Sequence, residues 1–178
     1  MRQRTPQSYE RATLMSERAN VLADRFAAAN AQLMQLLADA SDAQLAAIVA
    51  DEGWSVLMVA HHVALSYRVA GGWVKRATAG EAVSTTREQI DQGNAQMAQD
   101  TMPLTREIVL AQLRDNGTRT ETMIRGLSDA QLATSAVMMP ADGYEMTAEQ
   151  VIKHILLRHV KEHSQHVRPL LSGNASTI

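Results

Sequence analysis

Apolar residues recur along this chain at three- and four-residue steps, the spacing of one face of an α-helix. From about Ser8 to Ala40, Leu22, Phe26, Ala29, Leu33 and Leu36 form such a face and predict a long first helix. A second is predicted from Ser55 to about Ala79, closed by Gly80, and a third from about Pro103 to Leu127. The fourth runs from Thr147 to about Leu171 and stops at Ser172-Gly173-Asn174, where Gly and Asn can adopt the left-handed conformation that ends helices. Four long helices imply an all-α, antiparallel four-helix bundle, read as one domain over 1–178 with its core at about 8–171 and a short disordered tail after about 172.

Ser or Thr followed three residues later by Gln can satisfy two free backbone donors at a helix start. Thr147 with Gln150, Ser41 with Gln44, Ser128 with Gln131 and Thr86 with Gln89 all fit, the last predicting a short extra helix between the second and third long ones. The pentapeptide Ser-Asp-Ala-Gln-Leu occurs at Ser41–Leu45 and again at Ser128–Leu132, each time after a long helix and before a histidine-bearing one. This suggests two related helical hairpins. The apolar run Val137-Met138-Met139-Pro140 reads as loop packing before a turn.

Composition narrows the function. Aromatics make up 3% of the chain while Ala, Leu, Val and ten Met are plentiful, so the core is aliphatic and helical. A net charge of −2, from 17 basic and 19 acidic side chains, offers no footprint for nucleic acid or an anionic membrane. No stretch has the length and apolarity of a membrane span or signal peptide, and the expected location is cytoplasmic. There is no cysteine, hence no disulfide, thiolate site or cysteine nucleophile; thiol chemistry would need an external thiol.

The histidines carry the chemistry. All six fall in two stretches: His61 and His62 in the second long helix, and His154, His159, His163 and His166 in the fourth. His159 and His163, four residues apart, share a helix face and can converge on one ion. For the third ligand, His61 lies on a basic stripe with Arg68 and Lys75 and is expected in solvent, whereas His62 lies with Val59, Ser66, Val69 and Trp73 on a stripe expected to face inward. His62 is therefore the candidate. In the fourth helix Ile152, Ile155, Leu156, His159, His163, Val167 and Leu170 form the expected inward face, and His154 aligns with Arg158, Lys161 and Gln165 outside. His166, at the edge, could support the site or take a fourth position. Ser66 could hydrogen-bond near it.

Two other metal motifs fail. Ferritin-like di-iron bundles need Glu-x-x-His pairs, and none occurs. His159-Val160-Lys161-Glu162-His163 matches the His-x-x-Glu-His signature of inverted zinc peptidases, but these need a downstream acidic ligand, and no acidic residue follows His163. Glu162 could still act near a bound water.

Two stretches resemble signatures of the DinB family of DinB/YfiT-like metalloenzymes. Trp54-Ser55-Val56-Leu57-Met58-Val59-Ala60-His61-His62-Val63 carries the Trp, the Ser cap and a His eight residues after the Trp. His159-Val160-Lys161-Glu162-His163-Ser164-Gln165-His166-Val167 carries the His-x-x-x-His pair of the last helix. Met58 stands where the family often has an acidic residue. The resemblance implies an up-down-down-up bundle and one divalent ion, zinc, nickel or iron, held by His62, His159 and His163. It further implies a small-molecule substrate and transfer or isomerisation dependent on a low-molecular-weight thiol such as bacillithiol, mycothiol or glutathione. A metal-assisted hydrolase, with metal-bound water as nucleophile and Glu162 or His166 assisting, is the second enzymatic reading. A non-catalytic metal-binding stress-response protein is the third. Family analogy and the frequency of two-fold oligomers make a homodimer the expected assembly.

Overall fold

A computed structural model describes residues 16–99 and 103–172. Helix α1 spans Glu17–Ala38 and α2 Asp42–Ala46; strands β1 (Ile48–Val49) and β2 (Trp54–Ser55) lead into α3, Val56–Thr78. After α4 (Arg87–Ala98) come α5 (Arg106–Arg125), α6 (Asp129–Ala133), β3 (Ser135–Met138) and β4 (Tyr144–Thr147). The final helix has three parts: α7 (Ala148–Val151), a π-helical turn (Ile152–Leu157) and α8 (Arg158–Leu171). The expected start of the first helix at Ser8, and the Gly173-Asn174 stop with the tail beyond, lie outside the described residues.

All four predicted capping boxes form, at Ser41, Thr86, Ser128 and Thr147. The Ser55 hydroxyl likewise accepts from the Met58 N–H. Gly80, with φ +70°, follows α3 in the left-handed conformation that permits the abrupt exit. Val137 and Met138 correct the loop-packing expectation: they belong to β3, which pairs antiparallel with β4 and bridges Val83. Alternation turns Met138 into the core and leaves Val137 45% exposed.

Cross-helix contacts set the topology. The Arg125 guanidinium, at the end of α5, binds Asp24 and Asn20 near the start of α1, and Arg106 at the other end binds Asp42, so α1 and α5 are antiparallel. In contrast, α3 and α5 run parallel: His61 meets Gln112 and the Ala64 carbonyl meets Asn116. Arg18 pairs with Glu149, which starts α1 beside the start of the final helix. The four long helices are therefore arranged up-down-down-up, with α4 on the long connection between the two parallel neighbours. Among the described residues, no helix is long and apolar enough to cross a membrane.

The core is aliphatic around one aromatic pair, Phe26 and Tyr67, whose rings meet edge to face at 4.9 Å. The first helix buries Leu37 where Leu36 was expected. The Tyr67 hydroxyl donates to Asn30 Oδ1, and Asn30 Nδ2 donates to the Leu113 carbonyl, which ties α3, α1 and α5 together with no unpaired polar atom. A Cβ on Gly117 would collide with the Asn30 amide. Burial pushes the Tyr67 phenol far above its usual pKa, keeping it a neutral donor.

Candidate metal centre

On α3 the deepest line comprises Val56, Val59, Ala60, Val63, Ala64, Tyr67, Ala70, Val74 and Ala77. The stripe of His62 corrects the inward expectation. Val59 is buried as expected, but His62, Ser66 and Trp73 are half-buried and Val69 is 51% exposed, so from His62 onward this stripe lies at the border of core and solvent. A border position suits a site that must exchange ligands. His61 also departs from expectation: it is half-buried, and its Nδ1 lies 2.7 Å from Gln112 Oε1 on α5.

The final helix reaches the same border by a different route. At about 100° per residue, a regular α-helix would return His159 and His163 to within about 20° of the direction of Ile152. Ile152 is fully buried, so both imidazoles would point into aliphatic core. The π turn at Ile152–Leu157 instead absorbs one extra residue and sets everything beyond it back by about 100°. Val160, Ser164 and Val167 consequently occupy the core line, and His159 and His163 move to the flank that faces α3. His154, at the turn itself, is exposed as expected.

Three ring nitrogens converge there. His62 Nε2 lies 3.0 Å from His159 Nε2, which lies 3.1 Å from His163 Nε2. The Ser66 hydroxyl donates to the Val63 carbonyl at 2.8 Å, so at 3.2 Å its oxygen can only accept from His159 Nδ1–H. Glu52 Oε1, at 2.7 Å, accepts from His163 Nδ1–H. With both rings neutral, these assignments leave each Nε2 without a hydrogen, so two lone pairs face each other and His62 can supply a proton to only one. A cation resolves this conflict. Nitrogens bound at 2.0–2.1 Å to a tetrahedral ion are about 3.3 Å apart, close to the spacing observed. The donor set fits a single divalent ion of the imidazole-preferring kind.

Electrostatics keep the donors available. Burial, reinforced by the charge of His163, lowers the pKa of His62 to about 4, against a smaller opposing effect of Glu52. Burial and the neighbouring His163 and His62 lower His159 to about 3. Neutral imidazoles are the form that binds metals. Trp54 lies against His62 with ring centroids 5.4 Å apart and helps fix that ring.

Glu52 escapes the sequence tests for acidic ligands, which reach only Glu-x-x-His pairs, the His-x-x-Glu-His motif and residues beyond His163. It sits on the β1–β2 turn, two residues before the signature Trp54. Its Oε1 also accepts from His166 Nδ1 at 2.7 Å. Burial pushes the Glu52 carboxyl up, but hydrogen bonds and charge from His166 and His163 outweigh it and hold the group below its usual value. The same contact with Glu52 raises His166. Thus Glu52, His163 and His166 form a second donor group that shares His163 with the first. Glu162 belongs to neither: its carboxylate takes the Arg158 Nε–H at 2.6 Å.

The model of the DinB superfamily matches residues 25–167, which include both signatures and all the residues just described. The chain belongs to the DinB superfamily. Among solved structures, YfiT from Bacillus subtilis, described as a probable metal-dependent hydrolase with an unusual four-helix bundle topology, matches with a TM-score of 0.70. The two are 22% identical, and the match covers 89% of each chain, a likeness of fold. Comparison with curated proteins finds no match. In this DinB chain the eight-residue interval from Trp54 to His62 has a physical basis: β2 ends at the Ser55 cap, and two turns of α3 carry His62 beneath the indole.

Proposed function

We propose that this DinB protein is a metal-dependent enzyme in which His62, His159 and His163 hold one divalent ion, zinc, nickel or iron. We further propose that it transfers or isomerises a small electrophilic substrate with the help of an external low-molecular-weight thiol. The observation that carries the metal reading is the convergence of three Nε2 atoms, two of them stripped of hydrogen by Ser66 and Glu52. When bound, the ion would act as a Lewis acid and stabilise an anionic nucleophile at the position the protein leaves open. The chain's own residues hold and orient: Ser66 and Glu52 fix two ring tautomers, and Trp54 covers one side of His62. With three neutral donors, the favoured fourth partner is anionic. Because the chain has no cysteine, a thiolate must come from outside.

Hydrolysis is the second reading, favoured by one feature: Glu52 orients His166, whose raised pKa suits it to exchange protons near neutral pH. Elemental analysis of untagged protein beside His62→Ala and His159→Ala tests the site. Stoichiometric metal is expected in the native protein and none in either variant; equal occupancy in all three would refute the ligand set. Turnover of a general electrophile with bacillithiol, mycothiol or glutathione, and its loss without thiol, is the expected result for transfer. Ester or amide cleavage without thiol would select hydrolysis, and inertness across the panel a binding protein.

A further inference from the structure

We infer that Glu52 is a positioning residue that presents His163 to the cation and holds His166 away from it, so that the site keeps three protein ligands and an open position. The inference rests on the three-histidine reading above.

The backbone places the carboxylate. The N–H groups of Glu52 and Gly53 both donate to the Val49 carbonyl, at 3.0 and 2.9 Å, and Gly53 takes φ +70°, a conformation suited to glycine. The turn brings Glu52 over the final helix, where one oxygen, Oε1, accepts from two imidazoles at 2.7 Å each. The Glu52 and His163 side chains are each 14% exposed, whereas His166 is 38% exposed. With Nδ1–H committed to Glu52, His163 has only Nε2 to offer, and that atom points at His159.

Helix spacing alone would not keep His166 out. It lies three residues beyond His163 and seven beyond His159, on the same broad face of α8. In the structure its ring centroid is 6.1 Å from that of His163, while the three converging rings lie 4.4 to 5.1 Å apart. The bond to Glu52 turns its Nδ1 toward the hairpin instead. A fourth imidazole would close the vacancy that distinguishes catalytic from structural sites. Carboxylates bonded to ligand histidines commonly raise metal affinity about 10- to 100-fold.

The test compares zinc affinities, by chelator competition, for the native chain, Glu52→Ala, Glu52→Gln, His163→Ala and His166→Ala. Glu52→Gln retains an oxygen that can accept from His163 Nδ1–H. Glu52→Ala is expected to bind about 10- to 100-fold more weakly, Glu52→Gln to recover most of that loss, and His166→Ala to stay within about threefold of native. With cobalt(II) as the probe, the absorption spectrum of Glu52→Ala is expected to shift as a further nitrogen ligand joins. Adding His166→Ala to that variant should reverse the shift. Native affinity in Glu52→Ala would overturn the inference, as would equal losses in Glu52→Ala and Glu52→Gln. It would also fail if His166→Ala lost as much as His163→Ala, or if the cobalt spectrum ignored His166. Failure of the native protein to bind zinc or cobalt would refute the three-histidine reading itself.

Discussion

Residues 41–79 and 128–171 are built on one plan. Each opens with a boxed Ser cap and the five-residue helix Asp-Ala-Gln-Leu-Ala, crosses an antiparallel β-hairpin and enters a long helix through a Ser or Thr cap. The joints match bond for bond: Val56 N–H donates to the Ala47 carbonyl at 3.0 Å, and Ala148 N–H to the Thr134 carbonyl at 2.9 Å. Both long helices even carry histidine seven residues after the cap, His62 and His154. Yet only His62 faces the centre. Two departures from the shared plan complete the site around it: a short first hairpin whose turn carries Glu52, and a π turn in the second half that swings His159 and His163 toward α3. The repeated parts make the scaffold, and the departures make the site.

The largest effect should come from the π turn. Deleting His154 removes one residue from it and lets the helix run regularly with His159 and His163 in their present directions. Zinc affinity within about threefold of native is expected, since the angular position is conserved. Deleting Lys153 together with His154 sets both histidines about 100° further round and should abolish binding while far-UV circular dichroism still reports the helix. A double deletion that binds zinc like the native chain would show that the wide turn does not aim the site.

Much of this was legible in the sequence because it is local. Four capping boxes and the existence of the four long helices depend on residues a few positions apart, and these took the expected form. The gathering of His62, His159 and His163 was legible too, from spacing and family signature. What escaped was non-local or broke a period. Glu52 reaches His163 across 111 residues of chain through a turn that no helical wheel describes. The π turn shifts the wheel midway, so the buried line passes to Val160 and Ser164 while a constant 3.6 period places it on His159 and His163. Likewise His61, read as a solvated group from its basic neighbours, finds Gln112 because α5 lies parallel beside α3.

Next in size are the two leucines that anchor the repeated short helices, Leu45 and Leu132, at 4% and 0% exposure. Each replaced by Ala should cost about 2–4 kcal/mol in denaturant unfolding, with comparable losses if the halves are mechanically equivalent. A loss confined to one would break the equivalence.

Acid should then distinguish the centre from its rim. His62 and His159 have folded pKa values of about 4 and about 3, below the ordinary 6.5, so the unfolded chain binds more protons as pH falls below 6.5. Metal-free protein is therefore expected to lose stability from pH 6.5 downward, on the order of 1–2 kcal/mol per histidine by pH 5. His166 has the opposite sign: its pKa is raised, so its contact with Glu52 contributes most below the ordinary value and fades as pH rises through the folded one. In His62→Ala the acid loss should shrink, and in His166→Ala it should steepen. Indistinguishable pH profiles for the two variants would refute this division.

The smallest effect tests the shared plan where it is most alike. The hydroxyls of Ser41 and Ser128 each accept the N–H of the Gln three residues on, at 3.3 and 3.2 Å, and that Gln returns a bond to the cap's own N–H, at 2.9 and 3.0 Å. Replacing Ser128 with Ala removes one bond of its pair, whereas replacing Ser41 also removes the bond its hydroxyl donates to Gln44 Oε1 at 3.1 Å; each change should cost about 1 kcal/mol. The two boxes differ in what the Gln does next. Gln44 Nε2 also donates to the carbonyls of Leu170 and Leu171 at the end of the final helix, at 3.2 and 3.3 Å, tying the first half to the last turn of α8. Ser41→Ala should thus cost slightly more than Ser128→Ala, and Gln44→Ala more than Gln131→Ala by a further few tenths of a kcal/mol. Equal costs for the two glutamines would mean that the link from cap to final helix adds nothing to the stability of the bundle.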